Sequence, residues 1–209
     1  MILTVITVIT LIGMLVTNYL ANALPIGGNT TGDISEKYTT LFTPAGFTFS
    51  IWGLIYLLLI IFVVMLLTKE NILSTNRIII LILFNVVNIL NIFWLLSWHN
   101  NQILLSTLVI ISMLVSLLVI LNLLSKSDTF SFVTFSIYAG WISVATIANI
   151  AILITKYDIG FFMNYERLWF SFIIGVSLFI AAYMLIKEKN IAYSSVFLWA
   201  YLGIIAKFL

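Results

Sequence analysis

Residues 42–67 read FTPAGFTFSIWGLIYLLLIIFVVMLL. The second half of this stretch is uncharged and apolar, and with the turns before it the run is long enough, about 20 residues, to cross a bilayer as a helix. The first half is different. Pro44, Gly46 and Gly53 are interleaved with Phe47, Phe49, Trp52 and Tyr56. A span that only needed to sit in lipid has no use for so particular a beginning.

The lipid-soluble character extends over the whole chain. Of its 209 residues 63% are hydrophobic and 8% are charged, against about 25% charged in a soluble domain. That is too little polar side chain to cover a water-facing surface. The apolar runs are long and unbroken, which favours helices over the short alternating strands of a barrel. The expected fold is all-α, a polytopic, multi-pass membrane helix bundle with spans near 2–23, 47–67, 78–98, 103–124, 130–154, 168–186 and 191–207. The first of these mimics a secretory signal at Ala21-Asn22-Ala23. It lacks a positive start and runs too long, so a retained helix is expected. Lys and Arg divide five to four between the two sides, a slight bias toward an inside amino terminus.

The connections are short except one. Residues 24–46 hold both prolines, Pro25 and Pro44, with Gly27, Gly28, Gly32 and an Asn29 glycosylation-type triplet. A single long loop over otherwise tight turns reads either as a lid or as a solvated linker.

Several chemistries are excluded. There is no cysteine, hence no disulfide, thiolate metal site or Cys nucleophile. The spans carry almost no ionisable residue away from their ends, unlike those of pumps, proton-coupled carriers and voltage sensors. Lys207 stands at the end of the last span, and no buried carboxylate faces it as a retinal counter-ion would. His99 is the single histidine and reads as a solvated turn residue. No metal-ligand spacing or phosphate loop is present, so no catalytic residue and no metal is assigned.

What remains is aromatic and amide. Phe49, Trp52 and Tyr56 stand at i, i+3 and i+7, one stripe at about 100° per residue. Asn85, Asn88 and Asn91 lead to Trp94 and Trp98, with Asn91 and Trp98 within about 20° of each other on the wheel. Tyr138, Trp141, Ala145 and Asn149 make a third stripe, with room left at Ala145. Such residues build either interhelical packing or a pocket for a flat apolar ligand with polar edges. The two readings stay open on pattern alone.

These motifs resemble the translocator protein / tryptophan-rich sensory protein (TspO/MBR) family. PAGFTFSIWGLIY is similar to the start of its second helix, supplying Pro44, Trp52 and Tyr56. LNIFWLLSW is similar to its third-helix Leu-Asn-x-x-Trp, supplying Asn91 and Trp94. YAGWISVATIAN is similar to its fifth helix, supplying Tyr138, Trp141, Ala145 and Asn149, with Ile137 where the family has a proline. The resemblance covers about residues 1–154, a five-helix bundle with the loop at 24–46, and residues 155–209 read as two additional helices of one integral domain.

The resemblance implies a receptor for a hydrophobic planar ligand, a porphyrin, haem or similar, with no cofactor required. Its implied partners are the lipid bilayer, the small-molecule ligand and a second copy in a homodimer, and not nucleic acid. The implied pocket is Trp52, Tyr56, Asn91, Trp94, Tyr138, Trp141, Ala145 and Asn149, with Pro44, Gly46, Phe47 and Phe49 shaping the lid. Sensing, ligand transport and tryptophan-dependent porphyrin photo-oxidation are the functions it suggests. A facilitating permease lined by Asn85, Asn88 and Asn91 is the alternative from the residues alone.

Overall fold

The computed structural model describes residues 2–24, 28, 31–69, 72–73, 76–160 and 165–209. Pro25, Gly27 and Asn29 lie outside the described residues. The long helices are α1 (Ile2–Ala23), α3 (Ile51–Thr68), α4 (Arg77–His99), α5 (Ile103–Leu123), α6 (Thr129–Lys156), α7 (Glu166–Ile186) and α8 (Ile191–Lys207). A short α2 (Thr31–Lys37) lies within the long loop, and a 3₁₀ turn (Gly46–Ser50) leads into α3. No strand occurs among the described residues. Six of these helices are long and apolar enough to cross a membrane, the 3₁₀ turn counting with α3. The seventh, α8, has 17 residues, the short end of what spans a bilayer. The chain is an integral multi-pass membrane protein.

The bundle is organised around α6, the most buried of the candidate spans. It packs on α3, α5 and α8, while α4 packs on α1 and α5. At one end Phe62, Phe84 and Phe135 meet edge to face, with centroids 5.1–5.7 Å apart, and join α3, α4 and α6. In lipid, apolar burial drives little helix association, so contacts rest on close packing and interhelical hydrogen bonds.

The α6–α8 seam shows both. Asn190 caps α8 by accepting from the Tyr193 amide, and its own amide donates to Ser136 Oγ at 2.8 Å. Ser143 and Tyr193 share a hydrogen bond of 2.5 Å. Between them lies Gly140, where an added Cβ would stand 2.8 Å from the Tyr193 carbonyl oxygen and 3.1 Å from Val196 Cβ. Gly140→Ala must therefore move a helix backbone, and overpacking of this kind costs about 1–3 kcal/mol. A Cβ at Gly175 meets nothing within 4 Å, so Gly175→Ala is expected to gain helix propensity, up to about 1 kcal/mol. Opposite shifts of the unfolding free energy in detergent are the expected result.

The α7 helix is peripheral. It buries Ile173 and Ser177 and is tied to α8 by Ser177–Tyr201 at 2.8 Å and by Ser194 Oγ donating to the Ala181 carbonyl at 2.9 Å.

Residues 31–46 of the long loop form a packed cover over the bundle end. Ile34 of α2 is fully buried in a cluster with Trp98, Ile103 and Ile152. Tyr38 donates to Asn101 Oδ1 at 3.1 Å, and Lys156 donates to the Asn101 carbonyl. His99, expected in solvent, is instead completely buried, because the loop folds over the α4–α5 turn. Trp98 is buried for the same reason.

Candidate functional site

Beneath the cover lies a cavity of about 750 Å³. It opens among α1, α3, α4 and the loop. Phe49, Trp52, Tyr56, Trp94 and Leu95 form its apolar wall, and Pro44, Ala45 and Gly46 form its rim. Asn18, Asn22, Thr39 and Thr43 line its polar side, with the exposed Glu36 and Lys207 also in the lining. A smaller chamber of about 50 Å³ adjoins it, walled by Trp98, Trp141, Val144, Ala145, Ala148, Asn149, Ala200 and Ile204. Thr43, Pro44, Phe49, Trp52 and Trp94 line both.

Trp52 is the hub. Its ring stacks on Tyr56 at 5.6 Å and 24°. It lies 6.2 Å from Trp94, 6.1 Å from Tyr138 and 6.3 Å from Trp141, the last two edge to face. Phe49 meets Trp141 edge-on at 6.0 Å, and Trp98 follows Trp94 at 6.1 Å. The three stripes read from the sequence thus converge on one aromatic array. The i, i+4 spacing of Trp52 and Tyr56 stacks one ring over the other, as helix geometry requires.

The amides do something else. Asn91 accepts from Asn18 Nδ2 at 2.7 Å and donates to the Tyr138 hydroxyl at 3.2 Å. Tyr138 in turn donates to Met113 Sδ, and Tyr56 donates to Asn18 Oδ1 at 2.8 Å. Asn149 accepts from Trp94 Nε1 at 3.1 Å and donates to Ser106 and Thr107 of α5 at 3.0 and 2.7 Å. Both ends of each amide are occupied by protein. An amide in hydrocarbon must find partners, and here the partners are neighbouring helices. Asn91 and Tyr138 line neither chamber and form the layer that holds the array. Asn149 lines the small chamber with its polar atoms already engaged. Asn85 and Asn88 bond Thr10 of α1, at 2.7 and 3.1 Å, and line neither chamber.

The expected lid residues divide. Pro44, Gly46 and Phe49 line the larger chamber. Phe47 is 50% exposed and turns away, its ring edge-on to Trp199 of α8 at 5.6 Å. Residues not anticipated include Asn18 and Asn22 of α1, and Ala200, Ile204 and Lys207 of α8. An i, i+4 pair of asparagines within an uncharged span is a visible signal. The α8 contribution is not, because it depends on how that helix seats against α6.

Fold and cavity together define a multi-pass helical membrane protein built around an aromatic-walled chamber beneath a folded loop. The family described as TSPO-like protein matches residues 4–208, and the chain belongs to it. The match takes in α7 and α8, beyond the reach of the three motifs. No curated protein and no solved structure matches the chain.

Proposed function

We propose that this TspO-type membrane protein is a receptor for a hydrophobic planar ligand, of porphyrin or tetrapyrrole type, held in the larger chamber and serving ligand sensing or delivery. The observation that carries the reading is the aromatic wall around Trp52 facing a cavity of about 750 Å³. Ligand sites typically run about 300–1,000 Å³, mostly apolar with a few polar groups. Ring faces of Trp52, Tyr56 and Phe49 offer stacking surface, and Asn22, Thr39 and Thr43 offer polar atoms toward the mouth. Burial of the ligand's apolar faces supplies the driving force.

Protoporphyrin IX and haem titrated into the detergent-solubilised protein are expected to quench tryptophan fluorescence saturably, with a shifted Soret band. Linear, unsaturable quenching equal to that of free tryptophan would remove the reading. The permease alternative draws less support, since Asn85, Asn88 and Asn91 line neither chamber and bond Thr10, Asn18 and Tyr138 of neighbouring helices, although Asn85 Nδ2 and Asn88 Oδ1 are buried without a partner.

A further inference from the structure

The segment that carries Phe49 into the site is fastened to the last helix. The Ala45 amide donates to the Gly203 carbonyl at 2.9 Å, outside either element's own ladder. Trp199 Nε1 donates to the Thr48 carbonyl at 2.9 Å, across 151 positions of chain. Thr48 is fully buried, and its side chain lies on the bare face of Gly203. A Cβ at Gly203 would fall 1.9 Å from Thr48 Oγ1 and 2.9 Å from Thr48 Cβ. Glycine is required at 203 because the Thr48 side chain occupies the space a Cβ would take. The first bond satisfies an amide on the approach to the 3₁₀ turn, and a backbone donor left unpaired at membrane depth is costly; the second adds a donor to a Thr48 carbonyl that also accepts from the Ile51 amide.

We propose that α8 is the positioning element of the chamber: Gly203 and Trp199 grip residues 45–48, and this grip fixes Phe49 and the Pro44–Gly46 rim over the cavity. On this view the last two helices have a function in the site without supplying its aromatic wall. The α7 helix braces α8 from behind through Ser177–Tyr201. Because the grip joins only the turn and α8, loosening it opens the rim and leaves the α4–α5–α6 packing in place.

The test uses the absence of cysteine in the chain. Thr43→Cys places one thiol at a position 5% exposed that lines both chambers. Its maleimide labelling rate is measured in otherwise native, Gly203→Ala and Gly203→Ala/Thr48→Gly backgrounds. Gly203→Ala is expected to raise the rate about tenfold, and Thr48→Gly to restore it, since coupled contact residues are non-additive. Without the added cysteine, the same pair is expected to speed protoporphyrin IX dissociation about tenfold and then restore it, affinity changes residing mainly in the off-rate. Thermal unfolding of each protein separates loosening from collapse. Unchanged labelling in a folded Gly203→Ala protein overturns the inference. So does an unfolded Gly203→Ala protein that Thr48→Gly does not rescue. The porphyrin arm rests on the planar-ligand reading and the labelling arm does not. Labelling that responds in a protein that binds no porphyrin supports the grip while removing the ligand.

Discussion

Trp52→Ala is expected to weaken protoporphyrin IX binding by about 30- to 150-fold. The figure follows from one indole face, on the order of 100 Å² of apolar surface, at about 25 cal/mol per Å², or about 2–3 kcal/mol. Trp52 carries this weight because it lines both chambers and touches Tyr56, Trp94, Tyr138 and Trp141. Removing it takes away a ring face, merges the two chambers and costs each of four aromatic neighbours one ring contact, Trp94 keeping Trp98 and Trp141 keeping Phe49. Trp52→Phe keeps a smaller face and is expected to lie between, at about 3- to 10-fold. The Soret band is the proper readout, since it does not depend on how many tryptophans remain. Affinities within about threefold of the native value in both variants, on folded proteins, would show that ring faces are not the binding surface.

How much of this was visible in the sequence depends on the distance over which each feature is decided. Helix identity is local: apolar length and the absence of charge placed every span within a few residues of its observed bounds. The ring stripes are local as well, because i, i+3, i+4 and i+7 positions share a face whatever the neighbours do. The depth of Asn91 and Asn149 was legible for the same reason, but their task was not. A stripe shows which way an amide points and not what meets it. Asn18 of α1 meets Asn91, and Ser106 and Thr107 of α5 meet Asn149. The residues divide: the rings of Phe49, Trp52, Tyr56 and Trp94 line open space, and the Asn91 and Asn149 amides hold helices together. His99 was misjudged because burial of a turn depends on a loop that begins 75 residues earlier. Gly203 against Thr48 lies beyond local reading altogether, since no periodicity links residues in different helices.

Asn149 gives the sharpest test of that division. Asn149→Leu is expected to destabilise the bundle by about 2–4 kcal/mol, from roughly 1–3 kcal/mol for a stranded buried donor and about 0.6–2 kcal/mol for lost interhelical bonding. The stranded donor is Trp94 Nε1, whose acceptor is Asn149 Oδ1. Ser106 and Thr107 lose less, because their hydroxyls still donate to the Ile103 carbonyl. Leucine also projects a branched side chain into a chamber of about 50 Å³ between Ala145 and Ala148. Asn100→Leu, at an exposed turn where the amide only returns to the Leu96 carbonyl, is expected to change stability by less than about 0.5 kcal/mol. Unfolding free energies in bicelles decide the matter. Equal effects at the two positions would mean that the Asn149 amide is not a structural tie. It would then be free to meet a ligand, and the site would have to be redrawn with a polar inner chamber.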